Sequence, residues 1–270
     1  MRQSKTATLS LRVLALGYLF VLLVLPIGLI LYRTFERGVG AFVDSISTPA
    51  AISALNLSLL IVAIVVPINV VFGVVTAIAL VRGKFPGRGL VQGIVDLPFA
   101  VSPIVVGVSL IMLWGVHGWF GGIERNFGIK VIFGLTGMVI ATIFVTLPFV
   151  VREVEPVLHE IGDEQEQAAA TLGASSWQTF WRITLPAIRW GLTYGVVLTI
   201  ARALGEFGAV IMVSSGFPGV SQTLTLLVHS RYIDDHNTYG AYSAATLLMG
   251  VALVTLLLMT LLDRKRVGRN

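Results

Sequence analysis

The chain has 270 residues, 56% hydrophobic and only 12% charged, with a positive mean hydropathy, which excludes a soluble globular domain. It has no cysteine, so disulfides, thiolate metal sites and cysteine nucleophiles are excluded as well. The formal net charge of +5 would suit nucleic acid in a soluble protein, but the basic residues gather at the ends of apolar runs, where they report orientation in a lipid bilayer. An all-α integral membrane protein is expected.

A spanning helix needs roughly 20 mostly apolar residues to cross about 30 Å of hydrocarbon. Six segments meet this requirement, at residues 13–32, 55–81, 90–114, 135–151, 191–213 and 241–262. The first has an apolar core longer than a signal peptide needs and no Ala-x-Ala after it, which predicts an uncleaved span. The second and third exceed the minimum and have room to tilt or bend. Residues 1–270 read as a single transmembrane domain.

Outside the spans the cations divide unequally. One side holds Arg2, Lys5, Arg12, Arg82, Lys84, Arg88, Arg152, Arg182, Arg189, Arg264, Lys265, Arg266 and Arg269; the other holds Arg33, Arg37, Arg125, Lys130 and Arg231. The positive-inside rule predicts that both termini and the long loop at residues 152–189 face the cytoplasm.

That loop contains the polar island EQAAATLGASSWQTFWRITLP, residues 166–186. Asp163, Glu164 and Glu166 put negative charge at the start of one short helix, where it suits the helix dipole. Three consecutive alanines favour the helix without adding bulk. Gly173 suits a left-handed terminal position, and Ser175 with Gln178 reads as a capping box that opens a second helix. Trp177, Phe180 and Trp181 then fall on one face, and Pro186 is expected to stop the helix. Two readings fit: a surface that docks on another protein, or an interfacial helix on lipid headgroups.

Two alanines, a glycine four residues after the second, nine further residues and Ile-x-Leu-Pro together resemble the cytoplasmic signature of ABC importer permease subunits. Ala168, Ala169, Gly173, Ile183, Leu185 and Pro186 meet the pattern in register. The resemblance implies the type I ABC importer permease fold, with about six transmembrane helices and a coupling helix that inserts into a cytoplasmic ATPase. It implies coupling roles for Gln167, Ala168, Ala169, Gly173, Ala174, Trp177, Ile183, Leu185 and Pro186. The family usually carries Glu where this chain has Gln167, which can hydrogen-bond but cannot form a salt bridge. The chain contains no G-x-x-x-x-G-K-[ST] phosphate loop, so ATP and Mg are expected on two partner ATPase subunits, with no cofactor in this chain.

RWGLTYGVVLTIARALGEFGAVIMVSSG, residues 189–216, and LPFAVSPIVVGVSL, residues 97–110, are similar to the sulfate and molybdate branch of these permeases. VSSGFPGVSQTLTL and HNTYGAY resemble the W-type membrane subunit of sulfate/thiosulfate importers. The partners so implied are a homologous T-type permease subunit and an extracytoplasmic sulfate-binding protein, in a bacterial inner membrane. Molybdate or tungstate, and then phosphate, are the alternative cargoes.

A dianion crossing hydrocarbon needs a polar lining. Pro98, Ser102, Pro103 and Gly107 interrupt the third span and can expose backbone N–H groups toward a translocation path. Arg202 and Glu206, at i and i+4 in the fifth span, can neutralise each other on one helix face, as a structural ion pair or beside the substrate. Asp96 reads as a wetted helix terminus.

Other classes fare worse. HEIGD, residues 159–163, lacks the second histidine of a zinc peptidase, and no catalytic triad is found. A secondary transporter would show an inverted repeat, and none is visible.

Overall fold

The computed structural model describes residues 5–128 and 130–267; of the cations counted above, Arg2 and Arg269 lie outside the described residues. Every regular element among the described residues is helical. Helix α1 (Lys5–Leu19) passes through a π-helical turn at Phe20–Val24 into α2 (Leu25–Phe35), and α3 (Gly38–Ile46) follows as a short connector. Along α1–α2, residues 11–29 are all exposed, Leu14, Leu16, Leu22 and Leu23 among them, and Thr34 near the end of α2 is buried.

Thr48 opens α4 (Pro49–Arg82) by accepting the Ala51 N–H, and Pro49 occupies the first turn, where its missing donor costs nothing. At 34 residues α4 is roughly 51 Å long at 1.5 Å per residue, well beyond the hydrocarbon thickness. Next come α5 (Arg88–Ala100), α6 (Pro103–Trp114) and the short α7 (Gly121–Phe127). The long α8 (Leu135–Ile161) leads to the polar island, which comprises α9 (Glu164–Thr171) and α10 (Ser176–Thr179). The remaining helices are α11 (Leu185–Leu204), α12 (Gly208–Val213), α13 (Leu224–His229) and α14 (Thr238–Val267). Among the described residues five helices are long and apolar enough to span, or six if α5 and α6 form one broken span.

Three expectations are corrected. Residues 90–114 are not one continuous helix: α5 and α6 are bent by 114° at Val101 and Ser102, and Pro103 keeps Ser102 out of helical backbone. Pro186 does not stop the second island helix. A π-helical turn at Phe180–Thr184, in which the Leu185 N–H reaches the Phe180 carbonyl, absorbs the proline, and helix runs on from Ser176 to Leu204. The fifth span therefore begins inside the island, and its other end breaks at Gly205, before α12.

Helix α8 is the axis of the bundle. Val150, Val151, Val154 and Leu158 pack against Val74, Ala77 and Leu80 of α4 and Ile188 of α11 near the island. A second cluster, around Met138, Val145, Val210 and Val213, fills the other half. With hydrocarbon outside as well as in, close packing rather than water exclusion holds such helices together. Gly73 shows the consequence, since a Cβ there would lie 2.6 Å from Val150 Cβ. Buried polar groups tie the same pair: Asn69 Nδ2 donates to Thr146 Oγ1 at 2.6 Å, and Thr146 donates to the Thr142 carbonyl.

Arg231, counted by sequence as a loop cation, is instead buried at the end of the bundle away from the island. It donates to the Ser45 carbonyl, Thr48 Oγ1 and the Gly240 carbonyl, joining the α3–α4 junction to the start of α14. Burial pulls its pKa below the usual arginine value, and Asp235 acts in the opposite direction.

Candidate functional site

The island is built by local chemistry. Asp163 precedes α9, and Glu164 and Glu166 occupy its first turn. Gly173, at φ +84°, closes α9 by turning the chain so that the Ala174 N–H reaches the Ala169 carbonyl at 3.0 Å. Ser175 and Gln178 form the expected capping box around α10, Ser175 Oγ accepting the Gln178 N–H while the Ser175 N–H donates to Gln178 Oε1. Trp177, Phe180 and Trp181 form one aromatic cluster, with ring centroids 5.3–6.3 Å apart.

The signature residues split between two faces. Gln167, Ala168, Gly173 and Trp177 are exposed and Ala169 and Ala174 half-buried, while Ile183 and Leu185 turn partly into the bundle and Pro186 stays exposed. Sequence reasoning missed Leu172, a large aliphatic side chain left 89% exposed just before the turn glycine. Its signal was a large aliphatic side chain immediately before the turn glycine in an otherwise polar stretch.

Sequence reasoning also missed the brace behind the island. Arg82, the last residue of α4, donates from Nε to Glu166 Oε2 at 3.0 Å, from Nη1 to the Leu158 carbonyl at 3.2 Å and from Nη2 to the Gly162 carbonyl. The Thr184 hydroxyl donates to Glu166 Oε1 at 2.8 Å. Glu166 therefore faces inward and does not replace the outward charge that Gln167 lacks. One guanidinium ties the end of α4, the end of α8 and the start of α9 together.

A second feature lies level with the middle of α8. The α5–α6 break meets the end of α11 around a cavity of about 520 Å³, lined by Pro98, Ser102, Pro103, Val145, Phe149 and Arg202 among others. Pro98, Ser102, Pro103 and Arg202 of the predicted path are thus brought together, and Gly107 and Glu206 are not. Gly107 is a packing residue: a Cβ there would lie 2.6 Å from Met212 Cβ, so glycine lets α6 close on α12. Glu206 is buried beyond the end of α11 rather than on a shared helix face with Arg202. Its Oε1 accepts the Ala209 N–H at 2.8 Å, and its Oε2 lies 2.5 Å from Arg202 Nη1, an ion pair without hydrogen-bond alignment. Asp96 is not simply wetted, since Arg152 pairs with it at 2.6 Å.

Residues 69–268 match the family of binding-protein-dependent transport system inner membrane components. The chain is 49% identical over 252 residues to a sulfate transport system permease protein CysW of Synechocystis, covering 93% of this chain and 91% of that one. It is 36% identical to a sulfate transport system permease protein CysT of the same organism, covering 93% and 88%. In fold it is similar to a chain of a bacterial alginate ABC transporter crystallised with its pentasaccharide-bound periplasmic protein, at a TM-score of 0.78 and 16% identity over 96% of this chain and 94% of that one. That likeness places the helices in the type I importer arrangement. The chain belongs to the binding-protein-dependent transport system inner membrane components, the multi-pass permease subunits of ABC importers.

Proposed function

We propose that the chain is the W-type permease subunit of an ATP-driven importer that moves sulfate or thiosulfate into a bacterial cell. The observation that carries this reading is the near-full-length similarity to a sulfate permease in a chain whose broken helices border an open cavity with Arg202 on its wall. The partners are a T-type permease subunit, two ATPase subunits that hold ATP and Mg, and a sulfate-binding protein on the far side of the membrane. The T-type partner is supported by the similarity to CysW and CysT proteins from one organism.

The excess of Lys and Arg at the island end supports a cytoplasmic island. Closure of the ATPase dimer on ATP draws α9 and α10 with it. Two rigid connections carry that displacement inward: the Arg82–Glu166 brace to α4 and α8, and the unbroken helix from Ser176 to Leu204, whose far end abuts the cavity. The pathway then opens outward to receive the anion from the binding protein. Selection rests mainly with that protein, and this chain offers transient passage.

The test is labelled sulfate uptake in cells lacking the chain and in cells with it restored, with unlabelled thiosulfate, molybdate and phosphate as competitors. Uptake that disappears, returns on complementation and is competed by thiosulfate is expected. Uptake that follows molybdate instead would move the assignment to that oxyanion, and uptake that survives loss of cellular ATP would overturn the importer reading.

A further inference from the structure

Arg202 is the one charged residue among those that line the cavity at the helix breaks. Its side chain keeps 32% exposure, whereas its partner Glu206 keeps 1%, so the guanidinium faces open space while the carboxylate does not. Only Nη1 is engaged. Among the described residues Nε and Nη2 have no hydrogen-bond partner, although an arginine offers five donors in a fixed fork suited to oxyanions.

Glu206 does not depend on Arg202 alone, because the Ala209 N–H also holds it. The facing wall adds donors: Ser102 stands at the mouth of α6, and no side chain caps that helix's first turn. A volume of about 520 Å³ holds a tetrahedral oxyanion with several of its waters, since a water takes roughly 30 Å³ of the liquid. Phe99 and Phe149, edge to face at 5.5 Å, form the apolar part of the lining.

We infer that Arg202 is a transit ligand for the transported oxyanion, receiving it on Nε and Nη2 in the cavity between α5, α6, α8 and α11 while Glu206 keeps the guanidinium from holding it tightly. The half-neutralised arginine suits a path, where an unpaired buried cation would trap a dianion and no cation would exclude it. This inference rests on the oxyanion reading above.

The experiment uses the assembled transporter with its partner permease, ATPases and binding protein, reconstituted in liposomes and assayed with labelled sulfate. The decisive variant is the double substitution Arg202→Gln with Glu206→Gln, which removes both charges and strands neither. Assembly is expected, with sulfate uptake down at least tenfold while ATP hydrolysis stimulated by the binding protein persists. Because the chain has no cysteine, Arg202→Cys with Glu206→Gln extends the test: a thiol reagent carrying an ammonium group should restore uptake and a neutral one of similar size should not. Wild-type uptake by the double glutamine variant would show that the anion does not need Arg202 and overturn the inference, as would failure of that variant to assemble, which would mark a structural ion pair. An unaltered transporter that ignores sulfate would instead sink the sulfate reading itself, a result separable from either.

Discussion

At the scale of single residues, Arg82 and Gly173 set the island's geometry in different ways. Arg82 holds three separate chain segments through one planar group, and its pair with Glu166 is largely shielded, each side chain keeping 21% exposure. A hydrogen bond to a charged group contributes about 1.5–3 kcal/mol. Arg82→Ala should therefore loosen the island and raise the number of ATP molecules hydrolysed per sulfate imported several-fold, measured in reconstituted transporter; an unchanged ratio would mean that the brace transmits nothing. Gly173 has a left-handed backbone and open space around it, so a side chain there meets no clash but costs roughly 1–2 kcal/mol in conformation. Gly173→Asp adds charge at the exposed face proposed to dock on the ATPase. The variant should reach the membrane in normal amount and fail to transport, and normal uptake would refute the coupling assignment.

At the scale of elements, α4 packs closely on α8 at Gly73, where no side chain has room. Gly73→Val would drive a side chain into Val150, and overpacking of this kind costs typically 1–3 kcal/mol. Gly28→Val is the control, since nothing lies within 4 Å of Gly28 in the exposed part of α2. Thermal unfolding of the detergent-purified chain should fall for the first and stay level for the second. The π-helical turn before Pro186 matters in another way: it keeps one continuous helix from the island to the cavity, the connection that the proposed coupling uses and a proline stop would have broken.

At the scale of the whole molecule, the island follows one end of α8 and α7 (Gly121–Phe127) precedes the other. The absence of native cysteine makes their sidedness directly measurable. Lys84→Cys, in the exposed turn beside the island, should react with a membrane-impermeant maleimide only after cells are permeabilised. Trp119→Cys, at a position 87% exposed on the opposite end, should react in intact cells. The reverse pattern would invert the orientation and move the island outside the reach of any ATPase.

Composition and local order were enough for the sequence to determine that the protein is helical, that it spans a membrane about six times and that residues 166–186 carry two capped helices with an aromatic face. Each of these follows from short-range terms: apolar length against bilayer thickness, the left-handed demand at Gly173, and the reciprocal Ser175–Gln178 bonds. The presence of Pro98, Pro103 and Gly107 marked an interruption but not its 114° angle, which depends on how α6 settles against α12. Only the tertiary structure decided that Gly107 packs while Arg202 lines a cavity, that Arg231 is buried, and that Glu166 answers to Arg82, 84 positions away. Such pairings join residues distant in the chain, and no local periodicity encodes which side chains the packed helices bring face to face.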